Sequence, residues 1–116
     1  MIDDRVCVED VLEAIRHIEK YTARGRDAFE AEELIRTWVL YHLQIIGEAS
    51  RKVSADLRQR HSEMPWVQLG AMRIILGHDS FGVDHGEIWA TVEKDLPELK
   101  RRFRAIFEDI NPMKES

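Results

Sequence analysis

Arg73-Ile74-Ile75-Leu76-Gly77-His78 sets an arginine and a histidine, with four residues between them, at the end of an apolar helix-like run that begins at Met64-Pro65-Trp66. A guanidinium can hold a phosphate by a two-pronged contact, and an imidazole titrating near neutrality can move a proton on or off a nearby oxygen. The pair therefore points to phosphodiester chemistry that requires no metal. Residues five apart in a regular helix are rotated by roughly 140° from one another, which would put the two on different faces. Gly77 answers this, because glycine adopts the left-handed conformation that ends a helix and redirects the residue after it. His78 would then stand at the helix mouth beside Arg73. On spacing alone the ordinary reading, a solvated or ion-paired arginine, is the better one.

The elements that must position this pair are helical. Apolar residues recur at helix spacing almost throughout, and no β-type alternation competes with them. A first helix is expected from about Asp4 to Tyr21, with Val8, Val11, Leu12, Ile15 and Ile18 on one stripe, ended by Thr22-Ala23-Arg24-Gly25. A second, longer helix is expected from about Asp27 to Lys52. Its apolar surface, from Phe29 and Leu34 through Trp38, Leu40 and Ile46, is too broad for one stripe, so it should be central or cover a second face against another subunit. A short third helix begins near Ser54, and Pro65 opens the fourth, where its missing amide hydrogen costs little. Asp84 and Glu87 form a capping box for a last helix, His85 to Phe107. Pro97 lies inside it and predicts a kink or brief break, with Asp95 capping the restart. Gly47 and Gly70 fall within helices, where each costs roughly 1 kcal/mol relative to alanine; close helix approach is the expected compensation.

The expected fold is all-α: a compact bundle of about four to five helices in one domain over residues 1–116, with a frayed tail from about 111. Hydrophobic residues make up 44% and charged ones 34%, and the formal charge is −5, so RNA would be attracted only by a local patch. Residues 1–50 hold 11 acidic and 6 basic side chains, and residues 51–116 hold 11 of each. The densest basic stretch, Lys100-Arg101-Arg102-Phe103-Arg104, reads first as a solvated helix face paired with Glu98 and Glu108. Cys7 is the only cysteine, which excludes an internal disulfide, and its apolar neighbours favour burial over reactivity. Acidic Asp3 and Asp4 argue against a signal peptide, and no apolar run reaches membrane-spanning length, so a cytoplasmic protein is expected.

Several separated stretches resemble the HepT-like toxins of the HEPN superfamily: Tyr41-His42-Leu43-Gln44-Ile45-Ile46-Gly47-Glu48-Ala49, Pro65-Trp66, Met72-Arg73 with His78, Phe81-Gly82-Val83-Asp84, and Trp89 with Asp95-Leu96-Pro97-Glu98-Leu99. The resemblance implies a homodimeric helical bundle that brings two Arg-x4-His motifs to a shared cleft. It also implies a metal-independent endoribonuclease, without cofactor, encoded beside a nucleotidyltransferase-fold antitoxin that neutralises it. Arg73 would bind the scissile phosphate of RNA, and His78 would act as general base or acid while the 2′-hydroxyl attacks. The chain departs from the family pattern at two positions. Ile74 stands where a polar residue, often asparagine, follows the arginine. Ser80 stands where the family carries the tyrosine that the antitoxin adenylylates in some members; its hydroxyl is a candidate acceptor, and a local turn hydrogen bond is its ordinary role.

Other constellations in the chain have plainer roles. His78-Asp79 with Asp84-His85 has the residue types of a divalent metal site but lacks zinc-type spacing. His17, His42 and His61 read as surface or packing histidines, His42 being the one that could face a dimer cleft. Arg58-Gln59-Arg60-His61 could steer phosphates, though a solvated short helix is the default. Trp38, Trp66 and Trp89 fit core or interface packing. Beside the ribonuclease stands a second reading, a catalytically silent helical module that partners the transferase, and a weaker third, a nucleotide-binding domain.

Overall fold

In the computed structural model, residues 3–70 and 85–110 are described, and no strand occurs among them. Helix α1 runs Asp4–Thr22. Its Asp3 cap accepts the Arg5 amide at 2.8 Å, satisfying one of the orphan donors of the first turn. The stripe read from the sequence is the buried face: Cys7, Val8, Val11, Ala14, Ile15 and Ile18 are all in the core, with Leu12 at its edge. Burial of each Val or Ile side chain contributes roughly 1.5–3 kcal/mol before entropy is counted. Gly25 then turns the chain at φ +97°, a conformation open to few residues other than glycine.

The long helix expected from Asp27 to Lys52 is divided. Helix α2 spans Arg26–Ala31 and helix α3 spans Glu33–Lys52, with Glu32 extended between them at φ −112° and ψ 110°. No residue of Glu30-Ala31-Glu32-Glu33 is a helix breaker, so the division comes from tertiary packing. It turns Phe29 into the core, 1% exposed, against Trp89 with ring centroids 5.3 Å apart. Arg24 pairs with Glu32 at 2.7 Å, and the Arg36 guanidinium donates to the Phe29 carbonyl at 3.3 Å, so both sides of the corner are tied.

Helix α3 is central as expected. It packs along α1 and also meets α2, burying Ile35, Val39, Leu43 and Ile46. Its outer face leaves Leu34 83% and Tyr41 59% exposed, two turns apart on the same side. Ser54 starts helix α4, Ala55–Arg60, by accepting the Leu57 amide, while its own hydroxyl donates to Asp4 at 2.6 Å. The same Asp4 carboxylate accepts the Ser54 amide, so a cap at the foot of α4 also locks it to the start of α1. Helix α5 follows Pro65 and is helical at 66–70.

The last helix begins as expected, with α6 at His85–Ala90, but Pro97 neither breaks nor restarts it. Instead Thr91–Asp95 forms a π-helical turn that runs straight into α7, Leu96–Ile110. The Leu96 amide bonds to the Thr91 carbonyl, five residues back. Proline has no amide hydrogen, and its ring clashes with the carbonyl four residues earlier. Widening the ladder by one residue relieves both problems without a break, so no restart needs Asp95 as a cap. The corner at Glu32 thus makes two helices of the one expected. α7 lies against α1 through Leu99, Phe103 and Ile106, completing one core.

Candidate active site

Arg73, His78 and Ser80, together with Ile74, Gly77 and the Asp84 cap, lie outside the described residues, as does the His78-Asp79 and Asp84 part of the metal constellation. The frame on both sides of them is described. On the entry side, the Trp66 indole donates to the His61 carbonyl at 2.9 Å and stands edge-on to Phe103, ring centroids 5.9 Å apart. Leu69 is buried behind it, and its amide bonds to the Pro65 carbonyl at 3.0 Å. Gly70 has a close neighbour, but not the helix backbone that the expected close approach would bring. The neighbour is a side chain: a Cβ placed there would stand 2.7 Å from Cγ of Arg51, on the last turn of α3. On the exit side, Ile88 and Trp89 enter the core, and the His85 ring meets Phe29 edge-on at 6.4 Å.

Between α5, α6, the π turn and α7 lies a groove of about 620 Å³ with an apolar floor including Leu43, Leu69, Ile88 and Leu99. Among the described residues its rim carries Glu63, Glu87, Asp95 and Glu98 against Arg102. The basic stretch 100–104 is largely spent on the protein itself. Lys100 pairs with Glu19 at 3.0 Å, Arg101 pairs with Glu98, and Arg102 donates to the Glu63 carbonyl at 3.1 Å. The hydrogen bond from Arg101, reinforced by Arg102, holds the Glu98 carboxyl below the usual carboxylate range. Glu98 is thus the partner the sequence suggested, with Glu19 of α1 as a second one from across the bundle. Arg60 and His61 are likewise both on Asp109, at 2.7 and 3.2 Å, and clasp the end of α4 to α7.

His42 does not face an open cleft. It is 5% exposed, and its Nδ1 donates to the Trp38 carbonyl at 2.8 Å. Its ring lies 4.9 Å from that of His17 and 4.4 Å from that of Trp38, whose indole donates to the His17 carbonyl. The cluster joins α1 to α3, so His42 and Trp38 serve packing. Trp66 and Trp89 do the same at the two ends of the frame. Among the described residues no group of three or more His, Cys, Asp or Glu side chains stands close enough to hold a metal ion, and no helix is long and apolar enough to cross a membrane. Arg51 carries no mark in the sequence beyond the glycine that faces it, since a cation on a last helical turn is commonplace.

The sequence matches the model of a family described as "Ribonuclease HepT-like" over residues 11–106, a span that contains Arg73, His78 and Ser80. A Thermococcus cleftensis protein named "Probable ribonuclease HepT" is 38% identical over 100 residues, covering 85% of this chain and 91% of that one. A Methanocaldococcus jannaschii protein named as a "Putative RNase" is 33% identical over 109 residues, covering 93% of this chain and 90% of its own. A second protein of that organism, named "Gamma-glutamylcyclotransferase and putative RNase", is 34% identical over 113 residues, and this chain spans about half its length, 51%. No solved structure matches the chain. A helical bundle framing the segment that bears the Arg-x4-His spacing, and a family match that runs across that segment, lead to one conclusion: the chain belongs to the HepT-like ribonuclease family.

Proposed function

We propose that this chain is a metal-independent endoribonuclease, the toxin of a toxin–antitoxin pair, acting through Arg73 and His78 as one HepT-like unit. The observation that carries the reading is the family match over residues 11–106, within which both groups able to do the chemistry are present at the spacing that chemistry needs. Arg73 holds the scissile phosphate and stabilises the charge that builds on it as the bond breaks. His78 takes the proton of the ribose 2′-hydroxyl or gives one to the leaving oxygen, and the product ends in a 2′,3′-cyclic phosphate. Lys100, Arg101 and Arg102 of the basic stretch are paired within the protein, so the cations at the motif itself are the proposed draw for RNA. A homodimer that faces two motifs across one cleft doubles those cations. The exposed Leu34 and Tyr41 on α3 give such a dimer an apolar surface to cover. A nucleotidyltransferase-fold antitoxin is the proposed partner, and Ser80 the hydroxyl available to it for adenylylation.

The test is cleavage of end-labelled RNA by the purified chain in excess EDTA, beside Arg73→Ala and His78→Ala. Cyclic-phosphate ends from the wild type, with rates at least ~100-fold lower in both variants, is the expected result. A second reading has a specific observation in its favour, since Ile74 removes a polar neighbour of the arginine. It makes the chain a silent module that binds the transferase. A folded, dimeric wild type that cuts none of several RNAs yet binds the transferase tightly would establish it in place of the first.

A further inference from the structure

Helix α3 has two apolar sides. Ile35, Val39, Leu43 and Ile46 fill the core, while Leu34, Trp38, Tyr41 and Ile45 recur at i, i+4, i+7 and i+11 on a second stripe. On that stripe Leu34 and Tyr41 are exposed, and Trp38 and Ile45 are half-buried. The Tyr21 ring of α1 stands edge-on to Trp38 at 5.3 Å and widens the patch. Lys52 returns to the azimuth of Leu34 after about five turns. The stripe therefore starts beside Glu33 in the first turn of α3 and ends at Arg51 and Lys52 in the last. Its middle is apolar and its two ends carry opposite charge.

Such a face complements itself when it is laid antiparallel on a second copy. A twofold axis through the middle of α3 sets Tyr41 of both copies beside the axis, and Glu33 and Leu34 of each opposite the Arg51-Lys52 turn of the other. Opposite charges then meet at both ends, and the two helix dipoles oppose one another. A parallel alignment would instead bring Glu33 to Glu33 and Lys52 to Lys52, and like charges facing each other across an interface are costly. Lys52 is free to change partner, since within the chain it stands 3.6 Å from Glu48 in a surface pair of little worth. We infer that α3 is the self-association helix: a second copy of this chain docks antiparallel on the stripe from Leu34 to Ile45, and Glu33 crosses to Lys52 at both ends. This rests on the homodimer of the reading above and gives it a face, an orientation and a register. Single exposed apolar residues are ordinary on a monomer, and that plainer account predicts no change of assembly when the stripe is altered.

The experiment is analytical ultracentrifugation of the full chain over a concentration series, with folding of each variant checked by circular dichroism. Leu34→Glu and Tyr41→Glu are each expected to raise the dimer Kd at least ~100-fold, because symmetry buries two unpaired carboxylates at once. Ala105→Glu, at an exposed position on α7, is the control and should leave the Kd unchanged. Glu33→Lys should raise it roughly tenfold at low salt and less at high salt, as screening weakens the repulsion. Orientation is read by cross-linking in a Cys7→Ala background, which removes the only cysteine. Antiparallel packing brings two Tyr41→Cys thiols within reach of a short bifunctional thiol reagent and holds two Leu34→Cys thiols about 25 Å apart. Equal cross-linking at both positions would overturn the orientation. A dimer unmoved by folded Leu34→Glu and Tyr41→Glu would overturn the face and leave the homodimer standing. A monomeric wild type would overturn homodimer and inference together, and its cleavage of RNA, measured separately, would still decide the chemistry.

Discussion

The rings of Trp66 and Phe103 meet edge-on, centroids 5.9 Å apart and planes at 88°, and through this contact the start of α5 is fastened to α7. Phe103 is fully buried, and the Trp66 indole is also committed, donating to the His61 carbonyl at 2.9 Å. The segment that bears Arg73 and His78 thus departs from a fixed point. Phe103→Ala is expected to lower unfolding free energy by about 3–5 kcal/mol through the cavity it leaves. Trp66→Phe keeps most of the ring and loses the hydrogen bond, at about 1 kcal/mol. Urea denaturation ranks the two, and a larger loss in Trp66→Phe would contradict this assignment of roles.

Gly25 separates α1 from α2 at φ +97° and ψ 172°, with nothing within 4 Å of where a Cβ would stand. Crowding is therefore no obstacle, and the backbone conformation alone decides. Gly25→Ala should cost about 1–3 kcal/mol, because this region is nearly closed to residues with a Cβ. A thermal melt at wild-type midpoint would show that the turn accommodates another conformation at little cost.

Ser50 is 1% exposed on α3, and its hydroxyl has no hydrogen-bond partner among the described residues. A buried hydroxyl without a partner forfeits its hydration, and alanine is the better helix former. Ser50→Ala should therefore stabilise the fold by about 1 kcal/mol. A measured loss of similar size would mean that the hydroxyl is bonded.

Cys7 is buried on the inner stripe of α1, as its apolar neighbours suggested. Burial first, and then the nearby Asp4 and Asp10 carboxylates, push its thiol above the ordinary value of 9.0. The folded chain holds the proton that the unfolded chain releases, so this contribution to stability is complete below about pH 9 and is lost as pH rises beyond it. Between pH 8 and 10.5, wild type should lose stability more steeply than Cys7→Ala. Parallel curves would remove the thiol from the account. Native protein should also react with a thiol reagent far more slowly than urea-unfolded protein.

Much of the fold was legible because its signals are local. The helix starts near Asp4 and Ser54, the stripe from Val8 to Ile18, the end of the first helix at Gly25 and the start at Pro65 each depend on residues within a turn or two of one another. The proposed site was read in another way, Arg73 and His78 from type and spacing and Ser80 from the family resemblance, and the family match spans all three. The corner at Glu32 was not legible, because no residue there opposes a helix and only the place offered to Phe29 beside Trp89 selects the break. Pro97 announced a disturbance, but a π turn and a break both satisfy a missing amide. Nor could His42 be assigned to the core or a cleft while its partners His17 and Trp38 were on separate stretches of chain.

By itself the sequence determined that the chain is helical throughout its described parts, where its first helix starts and stops, and which family it belongs to, because periodicity, caps and motif spacing are written in neighbouring residues. The tertiary structure alone decided that α2 turns away from α3, that Lys100 reaches Glu19 across the bundle, and that Arg51 lies across Gly70. Each of these joins groups far apart in sequence, and their energies exist only once the packed core has brought those groups within a few ångströms.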